Sequence, residues 1–361
     1  MPRADERAHA LGVPSTAPGA TACRAALASP PEAPPLAGAG PHADADLPPL
    51  PPAFETLLRT VLPEPWLALA LASYTAPKDV VFRLNPLRLH DRAAALQALQ
   101  ALPLQPLDGV TDVFRVPPAA RDALTHHPLV ADGHLYIQGA ASMAAVWALQ
   151  PQPGEEILDL AAAPGGKTAL MAACMDNRGR IAAVEPVRAR FFRLKANLQR
   201  LGVRIAQLYP KDGTVVGRLV PQRFDRVLLD APCSSEAQIT RLDPASWAHW
   251  SPRKVHASAA LQLRLLHSAA EALKPGGVLV YSTCSLSPQE NECVLDTLLR
   301  RRDDLEPEPA PWPCPLPALP GLTRWAGQSL HPGLTHARRV VPTTWTDAFF
   351  LCRLRKRQPA A

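Results

Sequence analysis

Long apolar runs are missing from this 361-residue chain. No segment reaches the roughly eighteen apolar residues that a membrane-spanning helix needs, so no transmembrane helix is expected. Met1–Ala20 has neither the basic opening nor the unbroken apolar stretch of a secretory signal peptide. Cysteine is also scarce. Seven residues, odd in number and irregularly spaced, do not make a disulfide framework. They fit a reducing, cytoplasmic setting in which one or two thiols carry chemistry. No Cys/His spacing suggests zinc, and no metal is expected. The charge excess is small, 38 Lys+Arg against 32 Asp+Glu, or +6. That is compatible with a polyanionic partner without requiring one. What is present in quantity is core material: 47% of the residues are hydrophobic.

Proline is abundant, at 42 residues, and unevenly placed. Residues 1–52 hold fourteen Ala and twelve Pro, half of that segment. Proline cannot complete helix or sheet ladders, and Ala-Pro text offers little area to bury, so 1–52 reads as a disordered extension. Asp5, Glu6, Glu32, Asp44 and Asp46 argue against a transit peptide. A second cluster, Glu306–Pro317, marks a proline-rich surface loop at about 305–320. Between them, residues 53–132 read as a small α+β unit. It comprises two short helices in Ala53–Tyr74 broken at Pro63 and Pro65, a strand at Val80–Leu84, a helix at Arg92–Leu102 and a strand at Asp112–Val116.

Residues 133–361 alternate strand and helix. Glu156–Leu160, Arg180–Val184, Phe224–Leu229 and Gly277–Tyr281 are continuous apolar runs, the pattern of parallel strands buried on both faces. Helical periodicity fills Thr168–Met175, Arg188–Leu201 and Val255–Leu273. This is an α/β, doubly wound sheet, whose ligands bind at the carboxyl ends of the strands.

The first of these strands runs into Asp159-Leu-Ala-Ala-Ala-Pro-Gly-Gly-Lys-Thr168 and opens a helix. Small residues let a ligand approach the backbone, and the helix N-terminus offers free N–H groups. A phosphate loop would need Gly at 161, where Ala161 stands, and would not carry Pro164. A nucleoside cofactor instead needs an acid at the end of the second strand for the ribose, and Glu185 is there. Asp212, past a third strand at Arg204–Leu208, can accept from an adenine amino group. S-adenosylmethionine fits this set better than ATP.

Two further strand ends carry cysteine, in Asp230-Ala-Pro-Cys-Ser-Ser235 and Tyr281-Ser-Thr-Cys-Ser285. Neighbouring ends of a parallel sheet bring Cys233 and Cys284 to one pocket. A thiolate adds readily to an electrophilic ring carbon. Cytosine needs such help, because its carbon 5 becomes nucleophilic only after a thiolate adds at carbon 6. Asp230 can hydrogen-bond the ring edge. The residues alone do not say which cysteine attacks.

The chain resembles the RsmB/NSUN family of S-adenosylmethionine-dependent RNA cytosine-5 methyltransferases. The motifs that carry the resemblance are Ala162–Thr168, Asp230–Ser234, Leu273–Asn291 and Val81-Phe-Arg-Leu-Asn85, and it extends to Asp347–Lys356. It implies a Rossmann-like class I methyltransferase core with an antiparallel last strand. It implies a cofactor site of Ala161, Ala162, Ala163, Pro164, Gly165, Gly166, Lys167, Glu185, Arg190, Asp212 and Asp230. It makes Cys284 the nucleophile, Cys233 the residue that assists adduct release, and Asp230 the stabiliser of the adduct, with Lys167 in reach of the base. Ala161 stands where many relatives have Cys.

RNA is the implied partner, ribosomal RNA before transfer RNA, bound by a monomer. Arg83, Asn85, Arg88, Arg241, Trp247, Arg253 and Lys254 are the candidate RNA contacts, with Arg353, Arg355, Lys356 and Arg357 as a basic tail. Cations interleaved with aromatics suit phosphate contact and base stacking. A non-catalytic RNA-binding or assembly factor and a P-loop ATPase are the rival readings.

Overall fold

The computed structural model describes residues 47–358, and its centre is a sheet of nine strands. Five are parallel, lying side by side in the order Leu273–Thr283, Phe224–Asp230, Glu156–Asp159, Arg180–Val184 and Ala206–Tyr209. The first four bury Val, Ile, Leu or Ala on both faces, which is why they read as continuous apolar runs, while Ala206–Tyr209 at the end is only partly covered. The last strand, Phe349–Lys356, runs antiparallel against Leu273–Thr283. The helices Gly166–Cys174, Arg188–Arg200 and Pro252–Ala272 connect the parallel strands. The last begins at a Ser251 cap, which accepts from Lys254 N at 3.2 Å, with Pro252 at its first position.

Leu273–Thr283 begins four residues before the expected Gly277. Its register shifts between the pairs Phe224–Leu273 and Arg226–Val278, so Lys274–Gly277 is absorbed as an irregularity inside the strand. The proline-rich segment is likewise bounded by strands. Leu305–Glu308 pairs with the last strand and Ala318–Pro320 with Arg338–Val340, so only its middle is loop.

Two expected boundaries move. A four-stranded antiparallel sheet contains Val80–Leu84 and Val113–Val116, but its edge strand is Leu135–Ile137, past the division at 132/133. The helices Pro52–Val61 and Trp66–Ser73 side with the larger sheet. Phe54, Leu58, Trp66 and Tyr74 bury themselves against Ile239, Leu286, Val341 and Ala348. Residues 1–46 of the expected disordered extension, with Cys23, lie outside the described residues. Within 47–52, Leu50 is buried and Pro52 opens a helix, so these six residues are ordered, against expectation.

Candidate active site

Every expected chemical group leaves the sheet at the carboxyl end of a parallel strand. Asp159 ends the first of them and is buried, and Thr168 Oγ1 donates to its Oδ2 at 2.6 Å. That bond ties the strand to the following helix and sets the loop between them. Gly165 has φ +105°, a left-handed conformation, and a Cβ there would come within 2.9 Å of Leu194. At Gly166 a Cβ would lie 2.7 Å from the Tyr136 ring. Both glycines are therefore required by the loop itself.

Ala161–Pro164, Gly166, Lys167, Asp159 and Asp230 line a cavity of about 220 Å³ together with Tyr136, Ile137, Gln138, Gly139 and Ser142. Tyr136, Ile137, Gln138, Gly139 and Ser142 were not anticipated, and Asp159 was read as the end of the strand and not as a site residue. Gln138 lies at the end of a three-residue strand with no pattern of its own to mark it. It is buried and accepts from Arg83 Nε at 3.0 Å, while its Nε2 has no partner. An unpaired buried donor on a cavity wall is costly unless a ligand satisfies it. Burial pushes the Asp159 carboxyl up to about 7, against the opposing bond from Thr168. A cation bound in the cavity would draw it back to the charged form.

Glu185 is buried at the end of Arg180–Val184 and accepts from Val187 N at 2.8 Å. Arg190 spans from Glu185 Oε2, at 3.5 Å, to the Ala163 carbonyl, at 3.1 Å. Asp212 is exposed, and its side chain accepts from Thr214 N at 2.9 Å. None of these three lines the cavity; Glu185 and Asp212 stand past the adjacent strand ends, and Arg190 in the first turn of helix Arg188–Arg200. A cofactor with a cationic end in the cavity and a ribose and base along those ends is compatible with this donor set. Lys167 Nζ lies 2.6 Å from Asp230 Oδ2, and Ser282 Oγ donates to Asp230 Oδ1 at 2.8 Å.

Cys233 Sγ and Cys284 Sγ are 2.9 Å apart, each partly buried. The distance is far longer than a disulfide bond and short enough for one thiol to donate to the other sulfur. That hydrogen bond, reinforced by burial, raises Cys233 well above an ordinary thiol. Two sulfurs at this distance can pair a thiolate nucleophile with a proton-transfer partner.

The expected RNA contacts divide sharply. Arg83 is buried, held by Gln138 and by the Gly166 carbonyl at 3.4 Å. Asn85 is buried and its Nδ2 donates to the carbonyls of Gly133 at 2.8 Å and Leu201 at 2.9 Å. Arg88 donates to the Arg200 and Gln199 carbonyls at 3.0 and 2.9 Å, the unsatisfied end of helix Arg188–Arg200. All three pin the small sheet to the core; Arg83 and Asn85 are buried, while Arg88 stays exposed. Arg241 donates to the carbonyls of Pro48 and Leu47, and Trp247 packs half-buried beside the helix pair. The basic tail is likewise taken up. Arg353 and Arg355 bind Glu308, Lys356 holds the Ala270 and Leu273 carbonyls, and Arg357 reaches Glu306. Arg253 and Lys254 remain exposed on the first turn of Pro252–Ala272.

Residues 146–355 match the family model described as 16S rRNA methyltransferase RsmB/F. The chain is 42% identical over 228 residues to the ribosomal RNA small subunit methyltransferase F of Pectobacterium carotovorum, a match spanning 62% of this chain and 45% of that protein. It is 43% identical over 226 residues to the tRNA (cytosine(49)-C(5))-methyltransferase of Pyrococcus abyssi, spanning 62% of this chain and 71% of the other. Among solved structures, a methyltransferase homolog from Pyrococcus horikoshii superposes with a TM-score of 0.68 at 32% identity, covering 85% of this chain and all of that one. The sheet is thus of the class I methyltransferase type.

Proposed function

Because the chain belongs to the RsmB/F family of 16S rRNA methyltransferases, we propose that it methylates carbon 5 of a cytosine in RNA, with ribosomal RNA the first candidate. The observation that carries this reading is the 2.9 Å contact between Cys233 and Cys284 at two adjacent strand ends. A cytosine ring above that pair meets a nucleophile and a proton-transfer group together. S-adenosylmethionine, held by Ala161–Lys167, Glu185, Arg190, Asp212 and Asp230, supplies the methyl group as a sulfonium. The buried Asp159 favours such a cationic cofactor, and the unpaired Gln138 amide offers a hydrogen to an acceptor on it.

Cys284 adds as thiolate to carbon 6, forming a C–S bond and leaving carbon 5 electron-rich. Asp230, oriented by Lys167 and Ser282, faces the ring edge and stabilises the protonated adduct, and Lys167 lies within reach of the base. After methylation, carbon 5 still carries its hydrogen. Cys233, whose own proton passes to the ring when the adduct forms, takes that hydrogen as the carbon 6–sulfur bond breaks and Cys284 leaves as thiolate. Arg253 and Lys254 provide phosphate contacts.

Similarity to the Pyrococcus abyssi enzyme favours a second substrate, transfer RNA, for the same chemistry. A denaturing gel of Cys233→Ala and Cys284→Ala proteins purified from cells tests the reading. A slow band removed by ribonuclease is expected with Cys233→Ala alone. The same band with Cys284→Ala alone would reverse the roles. No band in either variant, with no methyl transfer by the unmodified chain, would favour a non-catalytic RNA-binding factor.

A further inference from the structure

Glu236 has no part in the chemistry above, yet it is fully buried one turn beyond Cys233. Its carboxylate accepts five hydrogen bonds. Oε2 takes Ser285 Oγ at 3.0 Å, Leu286 N at 2.7 Å and Ser287 N at 3.1 Å. Oε1 takes Ser287 Oγ at 2.6 Å and Trp250 Nε1 at 3.2 Å, while Ser234 Oγ gives its one hydrogen to Glu290. Glu236 stands three residues past Cys233, and Ser285 directly follows Cys284. One side chain therefore ties the Cys233 loop to the Cys284 loop, and Ala237 N adds a bond to the Cys284 carbonyl at 3.0 Å.

We propose that Glu236 is the positioning residue that sets Cys233 and Cys284 side by side. Only an ionised carboxylate accepts on both oxygens without presenting a donor of its own. Glutamine would turn an NH₂ group toward at least one set of donors and break the bridge on that side. The neighbouring Glu290, on the segment after Cys284, ties the loops at a second point, accepting from Ser234 N at 2.9 Å, Ser234 Oγ at 2.5 Å and Gln262 Nε2 at 3.0 Å. Of the two carboxylates, Glu236 is the one that takes the Leu286 and Ser287 amides. Bonds to a charged acceptor are the strong ones, so several of them can hold two loops in register against their own flexibility. Trp250 extends the clamp outward, because its ring packs edge-on against Phe54, with centroids 5.4 Å apart. The first helix thereby braces the cysteine loops through a single indole. The consequence for turnover rests on the methyl-transfer reading, but the placement of the two sulfurs does not.

The test uses the full chain as Glu236→Gln, Glu236→Asp and Ser285→Ala. Diamide oxidises two adjacent thiols to a disulfide and takes up their two hydrogens as its hydrazine. The rate of Cys233–Cys284 bridging, read by peptide mass, therefore reports how often the sulfurs meet. Glu236→Gln is expected to bridge about tenfold more slowly, the scale of one lost charge-assisted bond. Glu236→Asp, which keeps the charge, is expected to recover part of the rate. Ser285→Ala removes a single donor with little threat to folding, and it should fall between wild type and Glu236→Gln. In methyl transfer, kcat should fall in the same order while KM for RNA holds. A bridging rate in Ser285→Ala and Glu236→Gln within about twofold of wild type would overturn the proposal, being below the value of one hydrogen bond. If Glu236→Gln does not fold, an unchanged rate in Ser285→Ala overturns it alone. A wild type that bridges quickly and variants that bridge slowly support the clamp even if no RNA adduct forms, and that outcome sinks only the methyl-transfer reading.

Discussion

Lys167 Nζ lies 2.6 Å from Asp230 Oδ2 and 5.6 Å from the centre of the Phe349 ring. The pair joins the helix after the glycine loop to the end of the neighbouring strand. In a phosphate loop the equivalent lysine must be free to reach β- and γ-phosphates. Here its charge is already committed, and Asp230 would repel a triphosphate. The expected outcome is that calorimetry detects saturable S-adenosylmethionine binding and no MgATP binding up to about 1 mM. Tight MgATP binding would restore the ATPase reading. Lys167→Met should lower methyl transfer about a hundredfold, as expected for loss of a group that orients an acid–base partner.

Asp159 gives the cofactor-free protein a pH dependence of defined sign. Burial raises its folded-state value to about 7, against roughly 4 in an unfolded chain. Between those values the unfolded chain has released the proton and the folded chain has kept it. Stability therefore falls as pH rises from about 4 to 7, then levels off, by up to about 4 kcal/mol for a shift of that size. Asp159→Asn cannot ionise and should flatten this portion of the curve, so that it is more stable than wild type at pH 8 and binds S-adenosylmethionine more weakly. Urea denaturation of both proteins at pH 5 and pH 8 provides the comparison. Parallel pH dependence in the two would show that Asp159 ionises freely in the fold.

The sequence exposes the site more fully than its support. Asp159–Thr168, Asp230–Ser234 and Thr283–Ser285 were legible because each joins an apolar run to turn residues at a strand end, and the parallel topology then places them together. Lys274-Pro-Gly276 lies outside the expected strand Gly277–Tyr281, since local propensity cannot reveal that a neighbouring strand absorbs it as an irregularity. The cations misled in a different way. Arg83, Arg88, Arg353 and Lys356 look like surface charge in the sequence, but carbonyls and carboxylates far along the chain take them up. Arg353 meets Glu308 across 45 residues, and Arg88 meets Arg200 across 112. Gln138 and Glu236 carried no local signal, because their importance lies wholly in what surrounds them.

Separating structural from RNA-facing polar groups yields the sharpest contrast. Asn85 Nδ2 is the donor to both the Gly133 and Leu201 carbonyls, in a fully buried position. Asn85→Ala should cost about 2–4 kcal/mol in urea denaturation, the range for leaving buried partners unpaired. RNA affinity of the protein that remains folded should keep its salt dependence. Arg253→Ala/Lys254→Ala should do the opposite. Both side chains are exposed, so stability should change by no more than about 0.5 kcal/mol. Each phosphate contact to a single strand contributes about 0.7 to the slope of log affinity against log salt, so the double variant should lose about 1.4. Filter binding across a salt series measures that slope. An unchanged slope would mean that RNA approaches the cysteine pair from another face, and a reduced slope in Asn85→Ala would return the pre-core motif to the RNA interface.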